Sequence, residues 1–199
     1  MKKIGLVIVI SVLTFTSCTS SYLFKPIVTV DTQETMFANG YEFLLSHGEH
    51  SGVGMFVEKT KKGELRMHAE IFNTSTDKYF DFNPEDITVT YLRNGTEVNI
   101  KVYSPRDYMK KLERSQNIQI AVAAMDYAVN NTSTDGVGSQ LANERNYTRN
   151  SLLVANRLYP EDEVEGDVMT KTYRMTGERF MVTMPIASDI HEFVFKIPK

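Results

Sequence analysis

Leu65-Arg66-Met67-His68-Ala69-Glu70-Ile71-Phe72 decides the fold class. Leu65, Met67, Ala69 and Ile71 fall on one face and Arg66, His68 and Glu70 on the other, the period of two of a half-buried strand. Upstream, residues 53–59 form a second strand-like run. Lys61-Lys62-Gly63 between them is polar and supplies a glycine for the turn, so the two runs read as a hairpin. Downstream, Ile87, Val89 and Tyr91 alternate with threonines, and Val98, Ile100 and Val102 alternate again beyond Asn94-Gly95. Asn-Gly favours the positive φ angles of a two-residue hairpin turn. Phe180, Val182 and Met184 predict one late strand, and Phe193, Phe195 and Ile197 another.

Between these β regions the pattern changes. Ser104-Pro105-Arg106-Asp107 offers a hydroxyl cap, a proline at the first helical position and an acid in the first turn, so a long helix is expected over 108–129. Ile118, Val122, Met125 and Val129 recur at helical spacing, which predicts a buried stripe with Met125 in it and with Lys111 exposed. Residues 130–139, rich in Asn, Ser, Thr and Gly, read as a loop. A second helix is expected over 141–159, with Leu152, Ala155 and Tyr159 inward and Pro160 ending it. The whole is a mainly β chain, an antiparallel β-sandwich over 26–199 with a helical insertion of one or two helices at about 104–159.

The N-terminal residues carry an address. Lys2 and Lys3 precede the apolar run 4–13, which is the length of a signal-peptide core and short of the roughly 20 residues of a spanning helix. Phe15-Thr16-Ser17-Cys18 follows and resembles a lipobox, in which the cysteine thiol is diacylated and becomes the new N-terminus. Residues 1–17 are then a lipoprotein signal peptide, Cys18 the lipidation site and 18–25 a lipidated tether. Ordinary signal-peptidase cleavage, for instance after Ser20, and a merely buried thiol are the competing readings. Cys18 is the sole cysteine, so an acylated Cys18 leaves no thiol for a disulfide, a nucleophile or a metal. Thr19-Ser20-Ser21 carries no acid, which favours an outer-membrane anchor facing the periplasm.

The order of leader and Cys18, the strand entry Asn83-Pro84-Glu85-Asp86-Ile87, the Asn94-Gly95 hairpin, the helix, Leu158-Tyr159-Pro160, Val164-Glu165-Gly166-Asp167-Val168 and the final His191-Glu192-Phe193-Val194-Phe195 resembles uncharacterised Bacteroidota-type envelope lipoproteins. Glu161 stands where those proteins often have glycine. The resemblance covers most of the mature chain. It implies an immunoglobulin-like sandwich and an envelope address, and it supplies no catalytic residues.

A net charge of −3, a pI near 5.8 and no run of basic residues with interleaved aromatics leave no electrostatic footprint for nucleic acid. No cofactor motif is legible. His47-Gly48-Glu49-His50 is the local metal-capable cluster, but Gly48, Gly52 and Gly54 argue against a helix that would align the imidazoles, and no third ligand is identifiable. His68 reads as solvated on its outward face and His191 as a packed histidine with one hydrogen bond. Ser51-Gly52-Val53-Gly54 lacks the order of a nucleophile elbow, and Gly136-Val137-Gly138-Ser139 lacks the lysine of a phosphate loop. Glu161-Asp162-Glu163 with Glu165 reads as a solvated turn in preference to a calcium loop. The expectation is a lipid-anchored, non-enzymatic module holding an envelope protein or glycan, with no metal or catalytic residue assigned. The alternative is a small envelope hydrolase with Ser51, His50 and Glu49 as nominees.

Overall fold

The computed structural model describes residues 22–130, 136–171 and 178–197, with side chains at all of these except 126–130. The leader and Cys18, as well as Thr19-Ser20-Ser21, lie outside the described residues. The chain runs β1 (Tyr22–Leu23), β2 (Lys25–Ile27), β3 (Gln33–Ala38), β4 (Tyr41–His47), β5 (Ser51–Lys59), β6 (Leu65–Asn73), β7 (Phe80–Phe82), β8 (Thr88–Arg93) and β9 (Thr96–Ile100). The helices α1 (Pro105–Asn130) and α2 (Val137–Ser151) follow, then β10 (Asn156–Leu158), β11 (Glu163–Met169), β12 (Arg179–Ile186) and β13 (Asp189–Lys196).

Two antiparallel sheets share one core. The first has the order β11-β6-β5-β4-β3, and the second β2-β13-β12-β8-β9. β4 pairs with β5 only as far as Leu44 opposite Met55, which leaves the end of β5 free to take β1, with Tyr22 opposite Lys59. The alternating apolar positions of both sheets meet in one cluster: Met55, Val57, Met67 and Ile71 from the first, Val89, Val182, Phe193 and Phe195 from the second. The hairpins form where period and turn chemistry agree. Asn94 and Gly95 have φ of 52° and 78°, and Asn39 and Gly40 make the same left-handed pair between β3 and β4.

Several expectations need correction. Tyr22, Leu23 and Lys25, read as tether, are strand residues paired into the sheets. The described part of the stripe on α1 is exposed: Ile118, Val122 and Met125 are 65%, 59% and 69% accessible, and the Val129 side chain lies outside the described residues. Ser104 caps the helix as expected, its Oγ accepting from the Asp107 N–H at 3.1 Å. The early turns, however, meet the sheet through Tyr108 and Lys111, which both reach Glu64, and Leu112 and Gln116 are the buried residues among the helix's described side chains. Gln116 is then held by α2, through Leu141, Glu144 and Arg145. Helical spacing identifies a face, and among the described residues no strand covers that face beyond Gln116.

Lys111 is likewise not a free surface lysine. Its ammonium pairs with Glu64, which is 1% accessible, and lies over the rings of Tyr103 and Tyr108. Burial, and secondarily Lys62, holds its pKa below the usual lysine range. The second helix ends at Ser151, eight residues short of the expected 159. Leu152 is buried as expected, while Ala155 and Tyr159 are exposed. Leu153 N–H donates to the Asp167 carbonyl at 3.0 Å, and β10 pairs with β7, so strand partners take the backbone that would have continued the helix. Gly166 lets this segment approach, because a Cβ there would lie 2.7 Å from Leu153 N. The expected loop over 130–139 is shorter, since α2 begins at Val137 behind Gly136 at φ 87°, and residues 131–135 lie outside the described residues.

Candidate functional site

The outward face of β6 presents Arg66, His68 and Glu70, and β11 sets Met169, Asp167 and Glu165 directly opposite them. On the other side β5 sets Phe56 opposite His68 and Glu58 opposite Arg66. His68 therefore lies between a ring and a carboxylate. Phe56 stacks on it with centroids 5.0 Å apart, and its Nδ1 is 2.9 Å from Asp167 Oδ1. Asp167 and Glu58 are buried, and Arg66 bridges them, with Nε 2.7 Å from Glu58 Oε1 and Nη1 3.8 Å from Asp167 Oδ2. Tyr41 stacks on the far side of Phe56 at 4.1 Å and Phe43 meets it edge-on at 5.0 Å.

Helix α2 crosses above this face. Tyr147, Asn150 and Ser151 form the lip of a groove of about 340 Å³ whose floor is Phe43, Phe56, His68, Glu70 and Asp167. Arg66, Tyr147, Ser151 and Asp167 also border a second recess of about 270 Å³ that runs toward Glu64 and Tyr108. Glu70, Glu165 and Asp167 outnumber Arg66 in the groove, so its field is negative. Burial raises the Glu70 pKa above the ordinary carboxylate value; repulsion from Glu165 and Glu163 adds to this while His68 opposes it. His68 is thus not simply solvated. It is half-buried, and among the described residues His68, Glu70 and Glu165 form the one group of three metal-capable side chains, with ligand atoms within 4.8 Å of one another.

The other nominees are placed elsewhere. His47 Nε2 lies 3.4 Å from Glu34 and His50 Nε2 3.7 Å from Glu49, and the two imidazoles do not converge on a common ligand set. Gly136 and Ser139 start α2, where Ser139 Oγ donates to the Gly136 carbonyl at 2.8 Å. Glu161 takes φ 67° in the turn before β11, while Glu163 and Glu165 are strand residues.

Ser51 meets His191, not His50. Its Oγ is 2.9 Å from His191 Nε2 and donates to Asp189 Oδ2 at 2.7 Å; His191 Nδ1 is 2.9 Å from Ser46 Oγ. His191 has two side-chain partners where one was expected. With the Ser51 proton on Asp189, the consistent assignment is a neutral ring donating from Nε2 to Ser51 and accepting from Ser46 at Nδ1. Burial lowers the His191 pKa; Asp189 pulls it up and His47 pushes it further down. In a nucleophilic triad the acid orients the imidazole and the imidazole takes the serine proton. Here the acid is on the serine, no carboxylate bonds Nδ1, and Ser51 and His191 are each 1% accessible. The group is built as a clasp between the sheets. Asp189 from β13 also accepts from the backbone N–H groups of His50 and Ser51 at 2.9 Å each.

No protein-family model, curated protein or solved structure matches the chain.

Proposed function

We propose that the chain is a lipid-anchored, non-enzymatic binding module of the cell envelope, attached through Cys18 to the outer membrane and facing the periplasm, whose groove under α2 receives an uncharged glycan. The immunoglobulin-like form of the two-sheet fold belongs to the same proposal. The observation that carries it is the groove itself. Tyr41 and Tyr147 offer aromatic surface beside the carboxylates of Glu70 and Asp167 and the amide of Asn150, the pairing of ring faces with fixed polar groups that a sugar's CH and OH faces require. Its negative field disfavours anionic ligands. The strand pairing of Tyr22 leaves only 19–21 between Cys18 and the domain, a reach of about 10 Å at about 3.3 Å per residue, so the groove works close to the bilayer.

Two measurements test this reading. Cys18→Ala is expected to accumulate uncleaved or to leave the detergent phase, because stable attachment takes two acyl chains; unchanged processing and unchanged partition would refute the anchor. A photo-crosslinking residue in place of Tyr147, 70% accessible on the lip, is expected to capture carbohydrate in intact cells, whereas one in place of Leu92 on the other sheet is not. Equal capture at both positions, or none at 147, refutes the groove. The hydrolase alternative loses its nominees, since Ser51 meets His191 and not His50; its remaining form rests on Glu70 on the groove floor, whose carboxyl burial raises above its ordinary value as a general acid needs. It predicts that the captured glycan is cleaved and that Glu70→Gln restores it intact, while a binding module returns intact glycan in both forms.

A further inference from the structure

His68 and Glu70 stand two residues apart on the outward face of β6, and Glu165 is directly opposite Glu70 on β11. We propose that these three side chains bind one divalent transition-metal cation, Zn2+ by their chemistry, on the floor of the groove. A tetrahedral ion with bonds of about 2.1 Å needs its ligand atoms about 3.4 Å apart. The three lie within 4.8 Å of one another, and two of them end flexible glutamate side chains that can close the difference.

Two further features point to a cation. The first is the histidine. Asp167 holds Nδ1 at 2.9 Å, and Arg66 holds Asp167 in turn. A buried carboxylate on one ring nitrogen keeps the proton there and leaves the lone pair on Nε2, the arrangement that orients metal-binding histidines. The second is the charge pattern. Glu70 and Glu165 are like charges directly across a ladder, which is destabilising, and among the described residues neither has an ion pair with lysine or arginine. A dication at this point neutralises both. The imidazole nitrogen selects against Ca2+ and Mg2+, which prefer oxygen ligands throughout, and favours Zn2+ and its spectroscopic substitute Co2+.

Three protein ligands would leave one tetrahedral position for an outside ligand, which a single sugar hydroxyl from the groove would fill. That last step rests on the glycan reading, and the cation site does not. The test uses the full chain, without a histidine tag, in detergent. Co2+ titration is expected to saturate at one ion per chain with visible d–d absorption, and Zn2+ to displace it. Glu70→Gln and Glu165→Gln, which remove the repulsion and so should fold, are expected to weaken binding by about 100-fold, and Asp167→Asn, a positioning change, by about 10-fold with a shifted Co2+ spectrum. The double variant His47→Ala, His50→Ala is expected to bind as the parent does. Unchanged binding in both glutamine variants, loss of binding in the His47, His50 double variant, or no saturation below about 1 mM would overturn the site. Carbohydrate capture at position 147 repeated with excess chelator separates the two ideas: capture that persists there, with no saturable Co2+ binding, removes the cation and leaves the glycan reading standing.

Discussion

Phe193→Ala is expected to lower the unfolding free energy by about 3–5 kcal/mol, and Met125→Ala by about 0.5 kcal/mol or less. Phe193 is fully buried on β13, opposite Val182 of β12, where both sheets contribute to one cluster. Truncating its ring removes a large apolar area and leaves a cavity that two hydrogen-bonded sheets cannot close without breaking ladder bonds. Met125 lies on the uncovered part of α1, so its truncation removes surface that water already touches. Urea midpoints at constant m-value compare the two directly. If Met125→Ala proves as costly as Phe193→Ala, the outer half of α1 is packed against something and its face is not exposed.

The contrast shows what the sequence could and could not disclose. Hairpins were legible because everything that makes them lies within about fifteen residues: a period of two, a turn dipeptide, a second period of two. The β5–β6 and β8–β9 hairpins meet that condition, and β12 and β13 are visible as alternation on either side of Ala187-Ser188. The exposure of the α1 stripe is not legible because helical spacing reports only that apolar residues share a face. What lies against that face is a tertiary fact, and here the sheet contacts come from Tyr108 and Lys111 in the early turns. The end of α2 was misplaced for a related reason. Residues 152–158 have no strand pattern of their own and become extended by pairing with β11 and β7, where tertiary context overrides local preference.

The candidate site divides the same way. The alternation over 65–72 already placed His68 and Glu70 together on the outward face. Their partners Glu165 and Asp167 come from a strand about a hundred residues later, and only the β6–β11 register brings them opposite. Glu165 therefore looked like part of a solvated acid run. His191 and Ser51 are 140 residues apart, so their contact left no local trace. One sign was available: Gly48 is required because a Cβ there would meet Asp189 Oδ2 at 2.4 Å, and a glycine between His47 and Glu49 hints at something approaching closely.

That approach underlies the other large effect. Asp189→Ala is expected to cost about 2–4 kcal/mol, because it removes three part-buried hydrogen bonds to one carboxylate and leaves the His50 and Ser51 N–H groups without that acceptor. Burial works to raise the Asp189 pKa, but these three hydrogen bonds, from the Ser51 hydroxyl and the backbone N–H groups of His50 and Ser51, together with the nearby Glu49 N–H, outweigh it and hold the carboxyl below its ordinary value. Its contribution is therefore complete at neutral pH and is lost only as pH falls below about 3.8. His191 acts in a different window. Its folded pKa lies below the ordinary 6.5, so as pH falls through 6.5 the unfolded chain takes up a proton that the folded chain still refuses, and stability declines until the folded pKa is reached. Because the Asp189 charge favours the protonated ring, removing it lowers the folded His191 pKa further and extends that decline to lower pH. Urea midpoints measured across this range should therefore fall more steeply for Asp189→Ala than for the parent, and His191→Gln should remove the component that begins at 6.5. A His191→Gln profile that keeps the parent's slope would show that the ring does not titrate with unfolding, and that the sheet-to-sheet clasp is held by Asp189 and its backbone donors without it.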